Sequence, residues 1–404
     1  MPLDIAAIQR ALTDDGLDGW LLYDFHGSNP IAVSLAGVAG RHVTRRWYYF
    51  IPRTGAPAKL VHTIEAGVLA SLPGSSTEYA GRTQLESGLR TLLAGARTIA
   101  MEYSPKCAIP YIARVDAGTI ELVRDLGVEV VSSGDLVGRF EAAWDAAAIG
   151  THRAASNALY RVKDRAFSLV AAELSAGRTP TEIEVQRAMM RWFGEEGLVT
   201  DSPPIVSVNA HAGDPHYAPT SETSAPIRRG DLLLLDLWGK LDRPRAVYAD
   251  ITWTGVYGEP PAEVARVFGV VAAARDAALA AVQRAIEGGQ VIRGWEVDRE
   301  ARDVVAAAGY GTQFVHRTGH SLGEEVHGNG VHMDDYETHD DRRLMPGTGF
   351  TIEPGIYTSA FGIRSEINVV VTETAAEPTG PSQQALVRID RLPIGETTPR
   401  SAPS

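Results

Sequence analysis

The sequence predicts an α+β protein of two domains, a smaller α/β domain at the N-terminus and a larger domain that carries the functional residues. Three observations support this fold class. Short apolar strands alternate with helical stretches in the first third of the chain. An alanine-rich helical segment then marks a change of pattern, and acidic residues stand inside strand-like apolar runs further along. With 404 residues and 44% apolar composition, the chain is long enough to bury more than one core.

The N-terminal domain, assigned to residues 1–142, is predicted to hold a mixed sheet with helices. A helix is expected from about Leu3 to Asp15, ahead of the first apolar run. Strands are expected at WLLYDF, RWYYFIPR, KLVHTI, TIAMEY and VEVVSS.

The second domain, assigned to residues 143–393, is predicted to begin with helices. The alanine-rich segment from Phe140 to Ser175 has strong helix propensity, and Gly177 stops it. The next helix carries EIEVQRAMMRWF. Thr179 and Glu182 have the spacing of a capping box at its start, with Pro180 at the first helical position.

Strands and helices then alternate toward the C-terminus. Strands are predicted at IVSVN, LLLLDLW and YADITW, a long helix from about Pro261 to Ile286, and another from Trp295 to Ala308. Further strands follow. The polar tail, residues 394–404, is predicted to be disordered.

Five residues in this domain are of types that bind divalent metal ions, and most of them adjoin apolar runs. They are Asp236 in DLLLLDLWGK, Asp250 in VYADITWTG, His320 in VHRTGHSLGEEVH, Glu353 in FTIEPGIY and Glu366 in GIRSEINVVV. An ionised carboxylate in a buried strand must be paired or must coordinate a cation. The pattern therefore predicts a buried metal site.

The charges of these residues indicate how many ions the site would hold. Four carboxylates carry four negative charges, which two divalent ions would cancel. Oxygen-rich ligand sets with a single histidine suit Mn²⁺, Mg²⁺ or Co²⁺, whereas structural zinc sites use cysteine or several histidines. Cys107 is the only cysteine, which excludes a thiolate site.

The motifs DITWTG, GHSLGEEVH, TIEPGIY and GIRSE, in this order, resemble the pita-bread metallopeptidases, the group of prolidase, aminopeptidase P and methionine aminopeptidase. The resemblance covers roughly the last 250 residues. It implies a pita-bread catalytic domain preceded by a creatinase-type N-terminal domain. It further implies a site with two metal ions. Asp236 would bind only the first ion, His320 and Glu353 would bind the second, and Asp250 and Glu366 would bridge both ions. Glu353 would also accept a proton from the attacking water.

Three more histidines are candidates for the same active site. By resemblance, His216 and His327 lie beside the scissile carbonyl and stabilise the tetrahedral intermediate. His316 precedes His320 by four residues, which fits one helical turn, but glycines and a β-branched residue nearby make a strand followed by a turn equally compatible. A packing role is the alternative for His316.

The sequence departs from the family pattern at three places. The segment GKLDRPRAVYA lengthens the connection between the two aspartates, so a longer turn is expected around Leu241 to Arg245. Trp253 stands where the family commonly has arginine, and its indole is expected to cover an apolar surface. The arginine that proline-specific members often place between the last histidine and EPG is not in register.

Several residues could replace that missing arginine or support the site. Arg342, Arg343 or His332 could contact the end of the substrate, although the arginine pair could equally be a solvated end of a helix or strand. Arg364 does match a family position, where a guanidinium would orient the bridging glutamate or a neighbouring acid.

Composition limits the partners and the location. The net charge of −12 argues against nucleic acid as a partner, because phosphate binding needs basic surface. The N-terminus lacks the apolar core of a signal peptide, and no apolar stretch approaches membrane-spanning length. A single cysteine is compatible with a reducing compartment. A cytoplasmic protein without a membrane partner is expected, and the resemblance implies a homodimer.

The preferred interpretation is a metallopeptidase with two divalent ions that cleaves the bond before proline. Mn²⁺ is favoured, with Co²⁺ or Zn²⁺ as alternatives. The substrate would be a small proline-containing peptide, cleaved by an Xaa-Pro dipeptidase (prolidase) or, alternatively, by an aminopeptidase P that takes longer peptides. A creatinase-like amidinohydrolase and a non-catalytic binding module are alternatives of other classes, and relatives of both kinds usually lack some of these ligands.

Overall fold

The structure is a computed structural model, which describes residues 3–393. The described residues form two compact units that divide between Ala143 and Trp144. The predicted disorder of residues 394–404 lies outside the described residues. Within residues 3–393, the structure holds no helix long and apolar enough to cross a membrane.

The first unit is built around a six-stranded mixed sheet in the order β4-β3-β2-β1-β5-β6. Its strands are β1 Gly19–Asp24, β2 Trp47–Pro52, β3 Ala58–His62, β4 Ser75–Tyr79, β5 Thr98–Met101 and β6 Glu129–Ser132. Its helices are α1 Ile5–Asp14, α2 Pro30–Leu35, α3 Arg82–Leu92, α4 Ala117–Arg124 and α5 Gly134–Phe140. The predicted α/β unit with a mixed sheet is confirmed.

One strand of this sheet is absent from the sequence prediction. Strand β4, with the sequence SSTEY, pairs in parallel with β3, and its first four residues are exposed. An edge strand that buries a single side chain carries no apolar alternation, which is the signal used to recognise strands. The aromatic run Trp47 to Tyr49, by contrast, is buried in the sheet, with alternate side chains packing on opposite faces.

The second unit holds four α-helices and three small sheets among the described residues. Its helices are α6 Ala146–Ser175, α7 Glu182–Glu195, α8 Ala262–Glu287 and α9 Gly294–Ala307. Its strands are β7 Leu198–Val199, β8 Ile205–Val208, β9 Leu232–Leu241, β10 Ala249–Val256, β11 Gly349–Ile352, β12 Gly355–Tyr357, β13 Gly362–Arg364, β14 Ile367–Val371, β15 Ala376–Pro378 and β16 Val387–Arg388.

The central hairpin of this unit, β9 with β10, separates two apolar cores. Leu233, Leu235 and Leu237 face the core formed with α6 and α7, whereas Leu232 and Leu234 face the core formed with α8 and α9. Because side chains alternate along a strand, even-numbered positions of β9 point to the second core. The lengthened connection between the strands runs from Leu241 to Ala249 and includes Arg245 in the left-handed region, with φ of 60°.

The predicted start of α7 is wrong by two residues. The helix begins at Glu182, and the capping box consists of Thr181 and Glu184 rather than Thr179 and Glu182. Glu184 accepts a hydrogen bond from the Thr181 backbone N–H at 2.8 Å. Both pairs have the same spacing, so sequence alone does not choose between them. Glu182 therefore does not cap the helix, and its side chain is fully buried.

The indole of Trp253 packs against the α6–α7 core, as expected for a residue that covers apolar surface. Lys163 of α6 places its ammonium nitrogen 3.7 Å from the centre of that ring. Tyr160 meets the same indole edge-on, with ring centres 6.1 Å apart. A cation–π contact therefore occurs at the position where the family pattern has an arginine.

We predict that His152 of α6 makes the stability of the protein pH-dependent. It is fully buried, with Nδ1 2.7 Å from the Tyr248 carbonyl oxygen and Nε2 2.7 Å from Thr379 Oγ1. Burial lowers its pKa from 6.5 to about 4. Between pH 6.5 and about pH 4, His152 is protonated in the unfolded chain but neutral in the folded protein. The contribution of this residue to stability is therefore fully present above pH 6.5 and is lost as the pH falls through about 4.

The thermal unfolding midpoint at pH 8 and at pH 5 tests this prediction. In the wild type the drop from pH 8 to pH 5 should exceed the drop in His152→Gln, whose amide does not titrate. Each unit of pKa shift corresponds to about 1.4 kcal/mol. An equal drop in both proteins would contradict a role for His152.

Candidate metal centre

The first two acids of the candidate centre lie on the β9–β10 hairpin. Asp236 shares the face of Leu232 and Leu234, and it is the cross-strand partner of Thr252. Asp250 lies two residues before Thr252 on the same face of β10. The antiparallel register therefore brings both carboxylates to one face of the hairpin.

The other two acids flank the pair of strands β11 and β14. Ile352 and Ile367 are cross-strand partners, with Glu353 directly after the first and Glu366 directly before the second. The backbone N–H of Glu366 donates to the Thr252 carbonyl at 3.2 Å, which joins this end of the strands to β10. The four acids thus come from two strand pairs that meet at one point.

His320 is positioned by backbone contacts to strand β11. Its N–H donates to Thr351 Oγ1 at 2.9 Å, and its carbonyl accepts from the Thr351 N–H at 2.8 Å. His320 Nε2 lies 3.6 Å from Asp250 Oδ2 and 3.3 Å from Glu353 Oε1. Ligand atoms of Asp250, His320 and Glu366 all lie within 4.8 Å of one another, and all three residues are buried.

The protonation state of His320 suits a metal ligand. Burial, and then the neighbouring His327 and Arg317, lower its pKa well below 6.5, so the ring is neutral. His320 Nδ1 lies 3.1 Å from the Ser321 carbonyl oxygen. A carbonyl can only accept, so Nδ1 carries the proton and Nε2, the atom that faces the carboxylates, keeps its lone pair.

Two buried oxygens indicate that a cation belongs here. Asp250 Oδ1 and Glu366 Oε1 have no hydrogen-bond partner among the described residues. A buried carboxylate oxygen without a partner costs several kcal/mol, by order of magnitude, unless a cation or proton compensates it. The donor set of four carboxylates and one imidazole fits a hard to borderline divalent ion.

Burial of the cluster also shifts the pKa values of three of its acids. Burial, followed by the charge of neighbouring carboxylates, raises the pKa of Asp250 and of Glu366 well above the usual range. Burial also raises the pKa of Glu353 to about 7, against the lowering effect of Arg364. A cation bound at these oxygens would therefore have to displace protons.

Arg364 contacts the cluster through three side chains. Its guanidinium donates to Asp236 Oδ2, to Thr252 Oγ1 at 3.0 Å and to Tyr357 Oη at 2.9 Å. Thr252 in turn donates from Oγ1 to Glu366 Oε2 at 2.8 Å. Arg364 therefore pairs with Asp236 directly and reaches Glu366 through a hydroxyl group. Its Nε also lies 3.8 Å from Glu353 Oε2.

His316 lies in an irregular segment, so the helical turn considered for it is wrong. Its Nε2 lies 2.7 Å from Tyr357 Oη, and its Nδ1 lies 2.7 Å from the Arg317 carbonyl oxygen. Burial lowers its pKa to about 3, so the ring is neutral. His316 and Arg364 thus contact the same tyrosine hydroxyl, which ties the histidine to the cluster indirectly.

A cavity of about 540 Å³ opens over the cluster. His216, which is exposed, and His327 line it together with Asp236, Asp250, His320 and Glu353. The rings of His327 and His320 meet edge to face with centres 4.4 Å apart. Burial lowers the pKa of His327 to about 4, so its ring is neutral at physiological pH.

The three residues predicted as replacements for the missing arginine are not among the residues that line this cavity. Arg342 is buried and pairs with Asp340 at 2.6 Å, and it donates to the Asn329 and Gly330 carbonyls. The solvated end predicted as its alternative is therefore wrong for Arg342. His332 is fully buried and accepts from the Ser321 N–H, and Arg343 forms a backbone bridge with Arg293.

The structure adds cavity residues that sequence reasoning missed. They are Asp201, Trp238, Arg317 and Glu337, among others. Trp238 could have been found, since it follows Asp236 by two positions and so shares its face of β9. The other three lie outside helices and strands, where sequence spacing does not determine direction.

Comparison with known proteins places this geometry in a family. The model of Metallopeptidase family M24 matches residues 151–373. The chain is 29% identical over 384 residues to the "Probable dipeptidase PepE" of Mycobacterium bovis, covering 92% of each chain. It is 34% identical over 199 residues to the "Xaa-Pro dipeptidase" of Lactobacillus helveticus, covering 49% of this chain and 48% of that protein.

A solved structure also matches along nearly the whole chain. The crystal structure of dipeptidase PepE from Mycobacterium ulcerans superposes with a TM-score of 0.69 and 26% identity, covering 95% of this chain and 96% of that one. The predicted pita-bread fold with two domains is confirmed by this match.

Removing one carboxylate of the cluster should remove the metal. We expect Asp250→Ala to lose bound divalent ion and to lose activity by more than about 100-fold, beyond the usual effect of residues that only support a ligand. Elemental analysis and a peptidase assay measure both. Asp201→Ala is the control, because Asp201 lines the same cavity but bonds to Trp238 Nε1 instead. Normal metal content in Asp250→Ala would contradict the site.

Metal binding should stabilise the protein more at high pH. Protons held by Asp250, Glu353 and Glu366 must leave when an ion binds, and their raised pKa values make this harder as the pH falls. We expect Mn²⁺ to raise the unfolding midpoint of metal-stripped protein more at pH 8 than at pH 6. An ion at 100 times its Kd stabilises by about 2.7 kcal/mol. An equal rise at both pH values would disprove this competition.

Proposed function

The chain belongs to metallopeptidase family M24, and from that premise we propose that it is an Xaa-Pro dipeptidase that uses two divalent ions. The observation that carries the proposal is the cluster of four carboxylates and one neutral imidazole beside a cavity. Asp236, Asp250, His320 and Glu366 are buried, and Glu353 is partly exposed. Similarity to proteins named as dipeptidases supports the choice of a dipeptide substrate. The cavity volume of about 540 Å³ accommodates a small peptide.

Asp236, Asp250, His320, Glu353 and Glu366 would hold the ions. Arg364 adds one positive charge to the four carboxylates, so the cluster carries a net charge of −3 when its acids are ionised. One divalent ion would leave this buried cluster negative, whereas two would leave one positive charge, which favours an anionic reaction centre. When bound, the ions would acidify a water molecule and polarise the scissile carbonyl. Mn²⁺ is proposed from the donor types, with Co²⁺ and Zn²⁺ as alternatives.

Glu353 is suited to proton transfer. Thr351 Oγ1 donates a hydrogen bond to its Oε1 at 3.1 Å, and Arg364 Nε lies 3.8 Å from its Oε2, so one oxygen is hydrogen-bonded and the other faces a positive charge. A carboxylate placed at the cavity in this way can accept a proton and return it, as general acid–base catalysis requires. In the proposed reaction Glu353 takes the proton from the attacking water and delivers it to the leaving proline nitrogen.

His216 and His327 complete the chemistry from the cavity wall. His327 is neutral and lies beside His320, so an N–H of its ring can donate to the oxyanion that forms on the scissile carbonyl. His216 lines the same cavity and would also donate a hydrogen bond to the oxygen of the scissile carbonyl. His316 lines the cavity as well, and its contact with Tyr357 would help to orient Arg364.

We further propose that the enzyme acts as a homodimer in the cytoplasm. The resemblance to dimeric relatives supports the dimer, and the single cysteine in 404 residues is compatible with a reducing compartment. Light scattering of the purified protein measures the first of these.

A matched pair of substrates tests the proposed function. Metal-stripped protein is assayed on a Xaa-Pro dipeptide and on a tripeptide that begins Xaa-Pro, with and without Mn²⁺. We expect cleavage of the dipeptide only when metal is present. A preference for the tripeptide would move the assignment to aminopeptidase P. Bound metal without hydrolysis of either peptide would reject the proposal and favour a binding module.

A further inference from the structure

A buried glutamate outside the metal centre joins the two ends of the segment that carries His216. Glu182 is fully buried. Its Oε1 accepts the backbone N–H of Val208 at 2.8 Å, where the segment begins, and its Oε2 accepts the N–H of Ala225 at 2.7 Å, where the segment ends. One carboxylate therefore ties together two points that are 17 residues apart in sequence.

The same carboxylate also holds two side chains from the middle of the segment. His211 Nδ1 lies 2.9 Å from Oε1, and Tyr217 Oη donates to Oε2 at 2.7 Å. The rings of His211 and Tyr217 stack with centres 4.2 Å apart. Tyr217 directly follows His216, so a hydrogen bond to Glu182 constrains the residue next to the proposed catalytic histidine.

Three groups donate hydrogen bonds to the Glu182 side chain. They are the backbone N–H groups of Val208 and Ala225 and the phenol of Tyr217. The residue lies in the first turn of α7, where the helix dipole favours negative charge. Hydrogen bonds to a buried carboxylate are among the stronger ones in proteins.

Glu182 is not needed to cap its own helix. Thr181 and Glu184 form the capping box of α7, and the Glu184 carboxylate accepts from the Thr181 N–H. The buried carboxylate of Glu182 is directed at residues 208–225 instead. Burial of a carboxylate is costly, and the hydrogen bonds to residues 208–225 compensate this cost. The carboxylate therefore orders this segment and not the end of its own helix.

The segment also packs closely against the strand that carries Arg364. A Cβ atom on Gly213 would lie 2.4 Å from the Thr358 carbonyl oxygen, and one on Gly362 would lie 1.7 Å from the Ala212 carbonyl oxygen. Glycine at both positions permits this approach. The 3₁₀ turn Asn209–Gly213 is thus held between Glu182 and the β12–β13 hairpin.

We propose that Glu182 is a positioning residue that holds His216 in the cavity by ordering residues 208–225. This inference rests on the proposed role of His216 in binding the scissile carbonyl. Glu182 itself does not touch the substrate, since it is buried and is not among the residues that line the cavity. It acts through Tyr217 and His211.

Two single substitutions in the first turn of α7 test this inference in the metal-loaded enzyme. Glu182→Gln keeps the shape but presents an amide to groups that already donate. Glu184→Gln is the matched control, since it makes the same charge change in the same helical turn without contacting residues 208–225. We expect Glu182→Gln to lower kcat on a Xaa-Pro dipeptide by about 10- to 100-fold, the scale of a misplaced catalytic group, with metal content unchanged. The control should stay close to wild type.

A double-mutant cycle with His216→Ala separates positioning from general loss of structure. If Glu182 acts through His216, adding Glu182→Gln to His216→Ala should lower kcat further by less than about three-fold. An equal fall in both backgrounds would overturn the inference, and so would an equal fall in Glu184→Gln. Tyr217→Phe removes one hydrogen bond next to His216 without creating a cavity, and it replaces Glu182→Gln in the cycle if that variant does not fold.

Hydrogen exchange gives a readout that does not depend on activity. Amides of residues 208–225 should exchange faster in Glu182→Gln than in Glu184→Gln, while amides of β9 and β10 remain protected in both. Unchanged exchange across 208–225 would overturn the inference even in an active enzyme. A wild type that cleaves no Xaa-Pro peptide would instead reject the proposed function, and the exchange result would still decide whether Glu182 orders this segment.

Discussion

The structure of the second unit depends on the compensation of buried negative charge. Four carboxylates and one neutral imidazole converge between two strand pairs, and two of the carboxylate oxygens have no partner among residues 3–393. Burial raises the pKa of three of these acids, Asp250, Glu353 and Glu366, so that protons or cations are retained there. The guanidinium of Arg364 supplies one positive charge. The remaining negative charge is what makes the cluster a candidate site for metal ions.

The strands around the cluster provide the rigidity that such a site needs. Asp250 is fixed on both sides of its peptide, because its N–H donates to Asn368 Oδ1 at 3.0 Å and its carbonyl accepts from the amide of the same side chain. Asn368 belongs to β14, directly beyond Glu366 and Ile367. A single amide therefore sets the distance between the hairpin that carries the aspartates and the strand that carries the last glutamate. Ligands on regular strands are held more accurately than ligands on loops.

The cavity wall is built differently from its base. His216, His327, Arg317 and Glu337 come from irregular segments, whose shape depends on buried polar contacts. Glu182 joins both ends of one segment, and Arg342 joins the ends of another through the carbonyls of Asn329 and Gly330. In the proposed function, the base would supply the metal-dependent chemistry, and these segments would determine which peptide fits. Charged residues at the wall are consequently oriented by side-chain contacts rather than by strand register.

The sequence by itself determined the fold class, most of the strands and helices and the candidate ligand set, because apolar periodicity and short motifs are local properties of the chain. It missed strand β4, whose residues are mostly exposed, and it misplaced the capping box by two residues, because two pairs with equal spacing overlap. Tertiary structure alone decided that Arg342 is buried away from the cavity, that Arg364 pairs with Asp236, and that Arg317 and Glu337 line the wall. These outcomes depend on contacts between residues far apart in sequence or on the path of irregular segments, and no local pattern specifies either.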